Sequence, residues 1–169
     1  MTTRSDPHPE SYLTFLKERP GADLSPGAER AALAQVKDYL SRLMDEANRR
    51  RTAEVYADDA FFNDTIKTEI GAAKIEEYFN GTAANADAIE VQFEDTARSG
   101  NDYYLRWVMD VRFKKFHRGK TFRTVGMTHI RFDRDGRVVL HQDYWDSASG
   151  FFQHVPVLGG GIRYIKSLF

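Results

Sequence analysis

The segment His141-Gln142-Asp143-Tyr144-Trp145-Asp146 carries the residue types best suited to chemistry. On a regular strand His141, Asp143 and Trp145 share one face, and Gln142, Tyr144 and Asp146 share the other. Burying a carboxylate between an imidazole and an indole raises its pKa through desolvation, and a protonated imidazole pulls it back. A general base working near neutral pH is made this way. Two plainer readings stay open. Asp143 can cap a backbone or pair with an Arg at the sheet end, and a bulge would turn Tyr144 and Asp146 inward instead.

The elements that must position this segment follow from periodicity. Ser25-Pro26 predicts a helix start, with Ser as N-cap and Pro in the first position. Leu33, Val36, Leu40, Leu43, Met44 and Ala47 continue it as one apolar stripe. The run Asn48-Arg49-Arg50-Arg51 ends it with positive charge at the negative end of the dipole. A short helix follows over 52–57 with Val55 and Tyr56 inward, then a brief strand over 60–64. A third helix spans 71–79, carries Ile75, Tyr78 and Phe79, and stops at Asn80-Gly81.

From residue 88 the period changes to two. Ile89, Val91 and Phe93 form one strand face. Tyr103, Leu105, Trp107, Met109, Val111 and Phe113 line one face of a long strand. A third strand spans 121–132, a hairpin turn falls at Asp133 to Gly136, and the last strand runs over 138–146. Strands joined by short turns pair antiparallel. Helices first and a meander after predict an α+β fold, with helices on one face of a curved, mainly antiparallel sheet.

Composition narrows the function classes. The 169 residues hold 24 Lys+Arg, 25 Asp+Glu, five His and no Cys, a net charge of −1. The mixed charge argues against a nucleic-acid binder. Without Cys there is no disulfide, thiolate zinc site or cysteine nucleophile. No apolar run approaches the roughly 20 residues of a membrane helix. The polar start, 1–9, has no apolar core of a secretory signal, so a cytoplasmic location is expected. Neither a metal nor a cofactor is expected: no His-x-x-x-His or carboxylate cluster has ligand spacing, with His141, Asp143 and Asp64 left open as a chance site, and Gly159-Gly160-Gly161 lacks a following Lys and a preceding strand. His117 and His154 read as surface, and His129 as part of the outer sheet face.

The order of elements, the phrase Tyr56-Ala57-Asp58-Asp59-Ala60 before a short strand, the turn Asp133 to Gly136 and the ending Asp143-Tyr144-Trp145-Asp146 resemble SnoaL-like proteins of the nuclear-transport-factor-2-like superfamily. The resemblance covers residues 28–150. It implies a cone-shaped α+β barrel with its mouth between the helices and the concave sheet face. The superfamily includes ketosteroid isomerases, polyketide cyclases, limonene-epoxide hydrolases and binding proteins, so the site must decide the function.

The closest local likeness is to the limonene-epoxide hydrolases. Asp143 matches their water-activating Asp. Their water-holding Tyr and Asn align with Phe62 and Asp64, and their Arg-x-Asp pair with Trp107 and Met109. The base position survives and its partners do not, so epoxide hydrolysis by that route is not expected. Asp64 could supply a second carboxylate from across the pocket. A cyclase or isomerase needs only a base and a donor for a developing oxyanion. Asp143 or Asp64 could be the base; His141, Tyr56, Trp107 Nε1 or Thr128 could donate. Phe62, Phe79, Trp107, Met109 and Trp145 suit a flat, apolar ligand, although alternating aromatics also fill plain cores.

The expected organisation is an N-terminal arm over 1–24, a cone domain over 25–150 and a C-terminal helical extension over 151–169. Leu158, Ile162, Ile165 and Phe169 would let that extension close the mouth or cover a partner. A homodimer through the convex face is expected, using some of Tyr104, Arg106, Asp110, Arg112, His129 and Arg131, with a small apolar molecule in each cone and no nucleic-acid or membrane partner. The functional expectation is an isomerase, cyclase or hydrolase using Asp143 as base. The alternatives are a non-catalytic ligand-binding domain and a structural dimer whose cone is filled by its own side chains.

Overall fold

The computed structural model describes residues 9–115 and 119–147. The helix expected over 151–169, its role at the cone mouth, and the expectations for His117 and His154 lie outside the described residues. The element order is α1 (Glu10–Glu18), α2 (Pro26–Ser41), α3 (Glu46–Arg49), α4 (Thr52–Val55), β1 (Tyr56–Asn63), β2 (Thr68–Ile70), α5 (Ala72–Asn85), β3 (Ala86–Ser99), β4 (Asp102–Phe113), β5 (Thr121–Phe132) and β6 (Val138–Trp145).

The strands form one curved, open sheet in the order β2-β1-β6-β5-β4-β3. The last four strands pair antiparallel as a meander. β1 joins the meander by running parallel to β6, with Phe62 opposite His141. That parallel pair is possible because the whole meander lies between the two strands in sequence. α2, α4 and α5 cover the inner face, where Val36, Tyr39, Tyr56, Phe62, Ile75 and Phe79 are buried together.

Local chemistry explains where the helices begin and end. Ser25 Oγ accepts the Ala28 N–H, and Pro26 occupies the first turn of α2. α2 stops at Ser41 rather than running on to residue 51. The Asn48 side chain donates to the carbonyls of Tyr39 and Arg42, satisfying groups that the helix end leaves open. Asp45 then caps α3. As a result Met44 is exposed, off the apolar stripe expected for it. Arg49 is buried: it donates to the Leu43 carbonyl and the Asn80 side chain, tying this corner to α5 rather than completing a helix dipole.

α5 also departs from expectation. It runs through Asn80-Gly81 to Asn85, because Arg49 holds Asn80 and a single helical glycine costs only about 1 kcal/mol. β2 has no counterpart in the sequence pattern; it is a three-residue edge strand facing the end of β1. At the start of α5, Gly71 has φ +91°, and a Cβ there would lie 2.6 Å from the Asp58 carbonyl oxygen. Only glycine fits that close approach.

α1 lies on the sheet face opposite α2 and α5. Phe15 and Tyr12 pack on Phe61, which alternates with the inward Phe62. His129 does belong to the outer face, yet it is buried, covered by Tyr12 and stacked on Tyr104.

Candidate active site

A cavity of about 280 Å³ lies between α2, α5 and the inner face of the sheet. Its walls are mostly apolar, from Leu40, Ile89, Val91, Met109, Val111 and Phe113 among others. Asp64, Thr124, Thr128, His141 and Asp143 bring polar atoms to it.

Strand phase delivers the central group. His141, Asp143 and Trp145 alternate along β6 and all line the cavity, so no bulge exchanges the two faces. Thr128, the register partner of Asp143 on β5, points the same way. Asp143 Oδ1 accepts two hydrogen bonds, from the Thr128 hydroxyl at 2.5 Å and from His141 Nε2 at 3.0 Å. Behind Thr128, Trp107 Nε1 donates to its oxygen at 2.8 Å. Behind His141, the Tyr56 hydroxyl meets Nδ1 at 2.9 Å. A carboxylate only accepts, so His141 carries a hydrogen on Nε2 and presents Nδ1 to the Tyr56 hydroxyl. Burial, then the charges of Tyr39 and Asp143, keep the Tyr56 phenol well above its ordinary pKa, so it retains the hydrogen it can offer to Nδ1.

The result is two converging chains, Tyr56 to His141 and Trp107 to Thr128, both ending on one carboxylate oxygen. Asp143 Oδ2 has no partner among the described residues, on a side chain that lines the cavity. Hydrogen bonds to a charged group contribute about 1.5–3 kcal/mol each, so the two on Oδ1 fix the orientation of the carboxylate and leave the second oxygen unclaimed among the described residues.

Asp64 lines the same cavity, but its oxygens are committed. Oδ1 accepts the N–H groups of Ile66 and Lys67, and Oδ2 accepts the Tyr78 hydroxyl. Burial raises its pKa; the bonds from Tyr78 and the backbone pull it down without cancelling that rise, and the charge of Asp143 adds to it. Asp64 thus holds the turn after β1, and Trp145 Nε1 reinforces that turn by donating to the Asp64 carbonyl at 2.7 Å.

The other candidates divide cleanly. Phe62, Phe79, Trp107, Met109, Thr128 and Trp145 line the cavity; Tyr56 does not, and stands one layer back behind His141. Sequence reasoning missed Tyr78, whose partner Asp64 is fourteen positions away. It also missed Thr124, which lines the cavity with a hydroxyl lacking a partner among the described residues. The period of two along β5 places Thr124 in phase with Thr128, and that signal was available.

The SnoaL-like domain profile matches residues 36–141, well over half the chain. No curated protein matches. Among solved structures, an epoxide hydrolase of Mycobacterium tuberculosis resembling limonene-epoxide hydrolases has a TM-score of 0.62 at 15% identity, covering 85% of this chain and 96% of that one. A candidate polyketide cyclase from Acidithiobacillus ferrooxidans has a TM-score of 0.62 at 16% identity, covering 73% and 93%. A hypothetical protein of Catenulispora acidiphila with a ketosteroid isomerase-like fold has 0.61 at 20%, covering 71% and 91%. At these identities the likeness establishes the fold alone. The fold, the open curved sheet over α2 and α5, and the profile match agree: this chain belongs to the SnoaL-like domain family.

Proposed function

We propose that this chain holds a small apolar molecule in its cavity and moves a proton on it, with Asp143 as the general base. The observation that carries the reading is the asymmetry of the Asp143 carboxyl. Thr128 and His141 both donate to Oδ1, and Oδ2 is left unpartnered among the described residues in an apolar chamber. In the step, Oδ2 takes a proton from an acidic C–H of the ligand. The C–H electron pair becomes the C=C bond of an enolate as the carbonyl π pair moves onto oxygen, and Oδ2, its proton exchanged with solvent, then delivers a proton back to carbon as the carbonyl re-forms.

The test is proton exchange in heavy water, followed by NMR on tetralone as an apolar ketone probe. Exchange well above the buffer rate, lost in Asp143→Asn, supports base catalysis. Exchange at the buffer rate in the natural protein ends it.

A second reading has its own support. His141, Thr128 and Trp107 all commit their hydrogens within the chain leading to Asp143. None of these three is left to meet a developing oxyanion, whose stabilisation supplies a large share of such catalysis, and among the described residues only one lining hydroxyl, that of Thr124 farther along β5, lacks a partner. On that reading the cavity binds without reacting, and tetralone would bind without accelerated exchange.

The proposal includes pairing with a second copy through the part of the outer sheet face that α1 leaves open, where Val125 and Met127 are exposed. A monomer in sedimentation at micromolar concentration would overturn that part alone.

A further inference from the structure

Charge is distributed one-sidedly around the cavity. Its described lining contains two carboxyl groups, Asp64 and Asp143, and neither Lys nor Arg. His141 adds no positive charge there when its Nδ1 accepts from Tyr56. A ligand bearing a carboxylate or phosphate would meet like charge in an apolar chamber, where solvent screening is weak. A cation would meet the opposite.

Aromatic rings stand beside the carboxyl group. Trp145 is two residues along β6, Trp107 is joined to Asp143 through Thr128, and Phe62 lies with its ring 4.7 Å from His141. Ring faces attract cations through their quadrupoles, most strongly when water is excluded. Open carboxylate oxygen and surrounding rings are what an organic ammonium group requires. The apolar remainder of the cavity, toward Ile89, Val111 and Phe113, suits a hydrocarbon body of matching size.

We infer that the cavity selects its occupant by charge: an apolar molecule with one amino group, its ammonium placed on Asp143 Oδ2 among Phe62, Trp107 and Trp145. The inference rests on the orientation of Asp143 used in the proposed function, and not on any proton transfer. An isosteric alcohol keeps the hydrogen bond and loses the charge, so it binds more weakly. An isosteric carboxylate keeps the apolar body and brings the wrong charge, so it binds weakest.

The test is calorimetric titration of the full chain at neutral pH with naphthylmethylamine, naphthylmethanol and naphthoate. The expected order is amine over alcohol over carboxylate, with at least a tenfold gap between the first and last. Asp143→Asn should erase the advantage of the amine over the alcohol while the alcohol still binds. The order in the natural protein decides the matter even where that variant fails to fold. Naphthoate binding as tightly as the amine, or no binding of the amine, overturns the inference. Because the probes carry no ketone, this outcome is independent of proton exchange on tetralone. Amine preference without exchange removes the base and keeps the charge selection, and the reverse result does the opposite.

Discussion

His141 and His129 sit side by side across β5 and β6 and look to opposite faces of the sheet. His141 is the register partner of Ile130, the residue next to His129. Each ring has a tyrosine hydroxyl on Nδ1 and an aspartate on Nε2: Tyr56 and Asp143 on the cavity side, Tyr12 and Asp102 on the outer side. The same three residue types therefore build two relays with different surroundings. The inner one ends on a carboxyl with a spare oxygen. The outer one ends on Asp102, which also pairs with Arg131, while Arg131 donates to the Leu16 and Arg19 carbonyls at the end of α1. The outer relay fastens a helix and the inner one faces a void.

The outer relay makes stability depend on pH. Burial lowers the His129 pKa; the bond and charge of Asp102 pull it up only in part, and Arg131 pushes it down. The folded state then binds fewer protons than the unfolded chain below about pH 6.5, the unperturbed value. Stability from this group is complete above that value and declines as pH falls below it. Burial raises the Asp102 pKa, but the bonds and charges of Arg131 and His129 outweigh that and hold it low, so its contribution is lost in stronger acid. Asp64, with its raised pKa, acts oppositely and gains stability as it protonates. Thermal unfolding between about pH 7.5 and about pH 5.5 should therefore show a falling Tm. His129→Gln should flatten that slope; an unchanged slope assigns it to other groups.

Two glycines predict opposite outcomes. Gly126 sits between Trp107 and Trp145 in one row across β4, β5 and β6. A Cβ there would lie 2.4 Å from the Trp107 ring and 2.9 Å from Trp145 Cβ. Gly126→Ala should cost about 1–3 kcal/mol by overpacking, and displacing the indole from Thr128 should shift the tryptophan fluorescence. Gly81, in the interior of α5, has open space where a Cβ would stand, with nothing within 4 Å. Gly81→Ala should stabilise by about 0.5–1 kcal/mol. Urea denaturation of the pair checks both signs.

Tyr56→Phe removes a hydroxyl that touches His141 from behind and does not itself line the cavity. Leaving Nδ1 buried and unpaired should cost about 1–3 kcal/mol in urea denaturation. The freed ring can change tautomer, so proton exchange on tetralone should fall while the affinity for it stays within a few fold. Affinity lost together with exchange would instead mean that the cavity itself had collapsed.

The meander and the phase of β6 were legible because a period of two leaves little freedom once one face is apolar. Asp143, His141 and Trp145 follow from that alone, as does Thr128 opposite Asp143. The helix ends were less legible, since partners distant in sequence decide them. Asn48 stops α2 by taking its carbonyls, and Arg49 carries α5 past Asn80-Gly81. The role of Asp64 was hidden for a related reason. Its type and place suggest a second acid, but the backbone turn and Tyr78 claim both of its oxygens. Side-chain hydrogen bonding to backbone leaves little trace in hydrophobic patterning.

The turn at Asp64 contains one residue in a conformation its type disfavours. Thr65 has φ +72° and is exposed, with its N–H donating to Asn63 Oδ1 at 2.9 Å. A β-branched residue in the left-handed region is crowded at both of its Cβ substituents. Such positions hold about 1–3 kcal/mol of strain when their surroundings enforce them. The surroundings here do so: Asn63 binds the Thr65 N–H, Asp64 binds the next two N–H groups, and Trp145 holds the Asp64 carbonyl. Asparagine adopts the left-handed region more readily. Thr65→Asn should therefore stabilise the protein by about 1 kcal/mol, a rise of about 2–4 °C in Tm at this chain length. Glycine would relieve the same strain but widen the freedom of the unfolded chain, so Thr65→Gly should gain less. The Thr65 side chain is not part of the cavity wall, so probe affinities should be unchanged in both variants. A Tm that falls in Thr65→Asn would mean that the threonine makes a stabilising contact outweighing its backbone cost.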